Sequence, residues 1–434
     1  MKTICSAIML LMSGLSLYSQ TTREEMIANP DRCGGIYYAY PAPTSEESTV
    51  APPPKGYEPF YISHYGRHGS RYLISDKDYS RLTNALDKAH EAKALTALGE
   101  DFRQRMHAIQ AEADGRDGEL TPLGNRQHHD IADRMFKAYP EVFSDDAVIT
   151  AQSTQVMRCA HSMFAFTEAL KENNPKLRIP RESSRRNMDF LCWWTQESAD
   201  FNSPDGPTKA VLTAFKEKQT DPSRLINALF SSPDYVKHNI IPDEFMWWVY
   251  WVAVDLQNME TDITLTDVLL PEEMFDLWQV FNFDFYIHNS AYPRSEGVHV
   301  NNAKHLLKNF IDKADEYIAR NQKGATLRFG HDGNVVPFVA LIQLTRCFGE
   351  ENEPEKLINV WNDFHVSPMA ANIQMIFYRN KNNNVIVKIL HNERPVAVNM
   401  KSDSYPYYRW DDLKEYLTQR LDRPYADFMG NKQK

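Results

Sequence analysis

The chain has 434 residues, enough for one large domain or two ordinary ones, and its apolar (42%) and charged (24%) fractions are those of a folded globular protein. Its formal net charge of −10 excludes general attraction to nucleic acid or to anionic lipid. An anionic ligand can be held only where cations are concentrated locally, against the field of the whole molecule.

The first residues, MKTICSAIMLLMSGLSLYSQ, set one lysine before an apolar stretch and small residues near Ser19. This predicts a secretory signal peptide over residues 1–19, and hence a secreted or periplasmic protein. The apolar stretch is short for a membrane span. Beyond it lie Cys33, Cys159, Cys192 and Cys347. In an oxidising compartment these could form two disulfides in any of three connectivities, or remain buried free thiols, and none has zinc spacing.

Residues 40–59, rich in Pro and Ser, read as an extended surface crossing. EPFYISHYG follows as a buried strand, and then a helix from SDKDY with Ser75 as its N-cap. A second helix ends at Gly115, and a third starts with Thr121 as cap and Pro122 at its first position. AVITAQS is a strand, followed by a helix from TQVMRCAHSM. Strands alternating with helices predict an α/β fold with a mostly parallel sheet.

Between residues 180 and 300 the pattern turns aromatic and helical, as in PDEFMWWVYWVAVDLQNME. This predicts a helical insert domain with its own core, dividing a catalytic α/β domain into residues 20–179 and 301–434. The second part contains an amphipathic helix, the strand ATLRFGHDG, a helix with Pro337 in its first turn, a hairpin turning at Asn382–Asn384, and a closing helix.

Three predicted strands end in reactive or cationic residues. The first runs into Arg67-His68-Gly69-Ser70-Arg71, the second into the helix that carries Arg158, and the third into His331-Asp332. Ligands of open α/β sheets bind outside the carboxyl ends of the strands, so the three converge on one edge. Phosphoryl transfer asks a protein mainly for positioning and charge stabilisation. Arg67, Arg71 and Arg158 supply forked donors to a phosphate, His331 supplies a further hydrogen bond, and His68 is a nucleophile. Asp332 can protonate a leaving oxygen and later take a proton from water. His128-His129 lies mid-helix without metal-ligand spacing. RESSRR, residues 181–186, is either a solvated loop or an outer anion shelf made by Arg181, Arg185 and Arg186.

RHGSR at 67–71, LTPLG at 120–124, STQVMRCAHSM at 153–163 and GHDGN at 330–334 together resemble the histidine acid phosphatases, the second branch of the histidine phosphatase superfamily. The resemblance implies a phosphoglycerate-mutase-like α/β domain with a helical insert. It implies His68 as a nucleophile that forms a phosphohistidine, Arg67, Arg71, Arg158 and His331 as phosphate ligands, and Asp332 as proton donor. It implies no metal or organic cofactor, and a small phosphate ester as partner. CGGIYYAYPAP and PFYISHYGRHGSRY are most similar to bacterial relatives of multiple inositol polyphosphate phosphatase, which act on phytate. That subgroup usually has His-Ala-Glu at the donor motif. The His331-Asp332 form is that of other phytases, acid phosphatases and glucose-1-phosphatases, so the substrate class stays open among them. Cys159 stands where the family often has Thr. A phosphotransferase using the same phosphohistidine, and a phosphate-ester-binding protein without turnover, are the other readings. The second has no use for both His68 and Asp332.

Overall fold

The computed structural model describes residues 22–44 and 52–424. The expected signal peptide lies outside them. Among the described residues, no helix is long and apolar enough to cross a membrane.

The centre of the molecule is an eight-stranded sheet. The strands are β1 (Glu58–Arg67), β2 (Val148–Ser153), β3 (Arg181–Ser183), β4 (Gly324–Gly330), β5 (Asn372–Arg379), β6 (Val385–His391), β7 (Arg394–Pro395) and β8 (Tyr407–Arg409). They are ordered β3-β2-β4-β1-β5-β6-β7, with β8 also pairing β6. β3, β2, β4 and β1 are parallel, and β5 and β6 continue the sheet antiparallel. The fold class is the predicted one. β1 and β4 are buried on both faces because helices cover both sides, as parallel strands require. The register sets Arg67 beside Gly330 and Ser153 beside Phe329. The three chain segments that leave β1, β2 and β4 therefore start side by side on one edge.

Against one face lie α1 (Pro122–Ala138) and α2 (Met157–Asn173), closing a core with Ile62, Ile149, Leu327, Phe329 and Ile376. Thr121 caps α1 by accepting from Gly124 N at 3.1 Å, and Pro122 opens it, as the sequence predicts. The other face carries α3 (Lys304–Ala319), α4 (Asp332–Leu341) and α5 (Trp410–Asp422). The predicted hairpin is formed by β5 and β6.

Three expectations are corrected. The helix after β1 is Lys77–Glu91 with Asp76 as N-cap, and Ser75 accepts from Lys77 N one residue earlier. Pro337 lies inside α4 rather than in its first turn, because that helix starts at Asp332. The 180–300 segment begins with β3, a strand of the central sheet, where strand signals are too short to read. Its helices also share their core with the sheet domain. Phe245, Tyr250 and Trp278 belong to one apolar cluster with Leu82 and Phe102 of the helices after β1 and with Phe338 of α4. Of the two states open to the cysteines, the structure has the free one: Cys33, Cys159, Cys192 and Cys347 are all unbridged.

Candidate active site

The loop after β1 is pinned from three sides. His68 N donates to Gly330 O at 2.9 Å, which ties the end of β1 to the end of β4. Gly69 N donates to Ser162 Oγ of α2 at 3.1 Å, and Ser70 N donates to Gln127 Oε1 of α1 at 2.9 Å. Ser70 O accepts from Thr121 N at 2.9 Å, and Arg71 pairs with Leu120 in an antiparallel bridge. Gly69 and Gly124 meet backbone to backbone: a Cβ on Gly69 would lie 2.7 Å from Gly124 Cα. The LTPLG segment is thus the clamp on the RHGSR loop. The only backbone freedom that both glycines supply is room.

His68 is buried, and its Nδ1 lies 2.9 Å from its neighbour's carbonyl, Gly69 O. A carbonyl only accepts, so Nδ1 carries the proton and Nε2 keeps its lone pair. Burial, then Arg67, Arg158, Arg71 and His331, hold His68 well below the usual histidine range. It is a neutral imidazole with a free nitrogen, the form in which it can attack phosphorus.

Arg67 is wholly buried. One of its nitrogens donates to Ser367 O at 2.8 Å and to Ile36 O, and the other meets Asp332 Oδ2 at 2.7 Å. Arg71 donates to Tyr72 O at 2.9 Å and to Tyr37 Oη at 3.2 Å, and lies over the Tyr37 ring. Arg158, at the start of α2, reaches Gly118 O. His331 is buried against Trp193, ring centroids 4.2 Å apart, and 5.8 Å from the His68 ring. Burial lowers His331 to about 3, with Arg158, Arg67 and Arg71 also lowering it and Asp332 opposing. Burial alone would raise Asp332. Arg67, His331, Arg71 and the Gly333 N–H outweigh it and hold the carboxyl below its ordinary range. The N-terminus of α4 adds its dipole in the same direction. The structure thus brings Arg67, His68, Arg71, Arg158, His331 and Asp332 to one edge: a neutral imidazole among fixed guanidinium groups, with one carboxylate beside them.

The three outer arginines do not form a comparable group. Arg181 lies over Phe164, exposed Arg186 is paired with Glu182 at 2.7 Å, and Arg185 is exposed on the following turn. His128 Nε2 donates to Arg67 O at 2.9 Å, a supporting contact beneath the loop, while His129 pairs with Glu172 on the surface. Among the described residues no cluster of His, Cys, Asp or Glu is arranged to hold a metal.

Several contributors lie outside the site residues that the sequence predicts. Tyr37 positions Arg71 from a segment that precedes β1, and Trp193 packs on His331. Asn258 accepts from Ser70 Oγ at 2.7 Å and donates to Tyr37 O at 2.9 Å, joining two walls of the site from within the 180–300 segment. Thr154 Oγ1 meets His331 Nε2 at 3.3 Å, and Cys159 Sγ donates to Gly330 O. Burial raises the Cys159 thiol to about 11, so this cysteine is a packing group rather than a reagent.

No family model and no curated protein matches the chain. Solved structures do. The Bifidobacterium longum multiple inositol polyphosphate phosphatase in complex with inositol hexasulfate is 18% identical, with TM-score 0.72, over 91% of this chain and 99% of that one. The chain has the fold of that enzyme. The phytase from D. castellii (15% identity, TM-score 0.68, 90% of this chain and 85% of that one) and the Hafnia alvei phytase (12%, 0.50, 86% and 98%) are similar over comparable spans. At such identities the likeness is one of fold.

Proposed function

We propose that the protein is a phosphomonoesterase that works through a phosphohistidine, with inositol polyphosphates as its substrate class. The observation that carries the reading is the neutral His68, its Nδ1 bonded to Gly69 O, set among Arg67, Arg71 and Arg158. In the first step His68 Nε2 attacks phosphorus and the ester oxygen leaves with a proton from Asp332. In the second, Asp332 takes a proton from water, the water oxygen attacks phosphorus, and inorganic phosphate departs from Nε2. The arginines neutralise the non-bridging oxygens in both steps.

Asp332 is a carboxylate while Arg67 is its main partner. An incoming phosphate shares the guanidinium groups and adds negative charge, both of which raise the Asp332 pKa. The proton needed for the first step therefore comes with the substrate, as its monoanion, or from acidic solvent, and the rate should rise toward acid pH. The substrate class is supported by the fold likeness to a phosphatase seen with inositol hexasulfate. A broad acid phosphatase, a glucose-1-phosphatase or a phosphotransferase would use the same residues. Export fits the N-terminal pattern of the sequence.

The test is turnover of phytate, glucose 1-phosphate and p-nitrophenyl phosphate by the wild-type protein and by His68→Ala. Phytate should have the highest kcat/KM, and His68→Ala should lose several orders of magnitude on all three. A tenth of wild-type activity in His68→Ala would remove the nucleophile assignment. Preference for glucose 1-phosphate would overturn the substrate class alone.

A further inference from the structure

A second cleft lies at the same sheet edge, beyond β5 and β6. Its volume is about 600 Å³, within the range of small-molecule sites. It is lined by Arg346 and Cys347, by residues 359–362 with Phe364 and His365, and by the turn that follows β6, with Arg32 and Tyr38 closing one side. A wall separates it from the candidate active site. Ile36 O and Ser367 O hold Arg67 from that wall, and Tyr37 faces Arg71 while its neighbour Tyr38 lines the cleft.

The charge of the lining is one-sided. Arg32, Arg346 and Arg394 contribute to it, and no Asp or Glu does, although the chain carries net charge −10. The three do not stand alike. Arg32 is paired with Glu25, and Arg394 donates to Pro41 O and Asn392 O. Arg346 is exposed, and its backbone is held left-handed at φ 67° between Thr345 N···Ala397 O and Cys347 N···Leu344 O. An arginine is forced into that region only when its surroundings over-determine it.

The floor carries unused polarity. Trp361 Nε1 and Asn362 Oδ1 belong to buried side chains and have no hydrogen-bond partner among the described residues, nor does Asn359 Oδ1. Unpaired buried polar groups are costly and call for a partner. By contrast, His391 is committed to the wall, with Nε2 on Val366 O at 2.8 Å and Nδ1 facing Cys347 Sγ.

We propose that this cleft is a second anion-binding site, which takes a small organic molecule bearing several phosphate-like groups. Forked guanidinium donors match such oxyanions, the Trp361 N–H adds a donor, and the asparagine oxygens accept from ligand hydroxyls. The site stands whatever reacts at His68.

Inositol hexasulfate, which no phosphatase chemistry consumes, is the probe. It is titrated calorimetrically into the full-length protein at low salt. One equivalent should weaken at least tenfold in Arg346→Ser, and likewise in Val360→Glu, which sets a carboxylate on the exposed rim. Turnover of p-nitrophenyl phosphate should stay at wild-type level in both, which also certifies folding. Arg71→Ser should weaken a different equivalent. Unchanged titrations in both cleft variants would overturn the proposal, as would a single equivalent lost equally in Arg346→Ser and Arg71→Ser. Loss of only the Arg71-dependent binding in every variant would leave the candidate active site standing and refute the cleft.

Discussion

The clamp on the His68 loop can be tested without touching any group that meets substrate. Gly124 is the third residue of α1. A Cβ placed there would lie 2.8 Å from Ser70 N and closer still to Ser70 O. Non-bonded carbon needs roughly 3.5 Å from its neighbours, so Gly124→Ala requires the loop or the helix to retreat by about 1 Å. Neither moves freely. Ser70 is held by Gln127, Thr121 and Asn258, and Gly69 by Ser162. The displacement therefore passes to Arg71 on one side of Ser70 and through Gly69 to His68 on the other. Misplacing a reacting group by about 1 Å costs on the order of 10²-fold in rate, and overpacking a tight contact costs about 1–3 kcal/mol in stability. Burst kinetics with p-nitrophenyl phosphate should show phosphorylation slowed about 10²-fold in Gly124→Ala, and urea unfolding should show the stability loss. Phosphorylation within threefold of wild type, in a protein destabilised by the expected amount, would refute the claim that this glycine contact sets the position of the nucleophile. A neutral result in both assays would mean that the helix yields instead.

Asp332→Asn should slow dephosphorylation of an inositol phosphate by about 10²–10⁴-fold, since an alkoxide needs a proton, yet slow the burst from p-nitrophenyl phosphate less than about tenfold; equal losses in the first step would remove the proton-donor role. His128, lowered to about 4 by burial, is neutral in the fold and takes up a proton on unfolding below the ordinary value of 6.5. Its contribution is present above pH 6.5 and is lost as pH falls toward 4, about 2 kcal/mol of it between pH 7.5 and pH 5. His128→Gln keeps a donor to Arg67 O and cannot titrate, so urea unfolding at those two pH values should show a pH-dependent loss smaller by about 2 kcal/mol; identical pH dependence would refute this. Prolonged EDTA treatment should leave turnover unchanged, because guanidinium groups take the place of metal cations; a loss restored by zinc or magnesium would overturn the mechanism.

What the sequence made legible were the groups whose chemistry is local. A strand running into Arg67-His68-Gly69-Ser70-Arg71, and another into His331-Asp332, can be read because periodicity, glycine and charge change together within a few residues. Parallel pairing then forces those ends to one edge, as the register of Arg67 beside Gly330 demonstrates. The LTPLG motif was legible as a helix start, but its partner was not: nothing in a one-dimensional pattern says that the space beside Gly124 is filled by Ser70. The 180–300 segment misled for a related reason. Its aromatic helices satisfy the pattern of an independent core, and the pattern is the same when the other half of that core is supplied by Leu82, Phe102 and Phe338. That shared core has a functional consequence. Asn258 can bridge Ser70 and Tyr37 only if its segment is fixed against the sheet domain, and a freely hinged insert could not hold those contacts. Substitutions deep in the shared cluster, far from any phosphate, should therefore reach the His68 loop through Asn258. The same geometry hides the cleft beyond β6 from sequence reading: Arg32, Arg346 and Arg394 come from opposite ends of the chain, each is unremarkable in its own neighbourhood, and only the folded sheet edge sets them around one volume without a carboxylate.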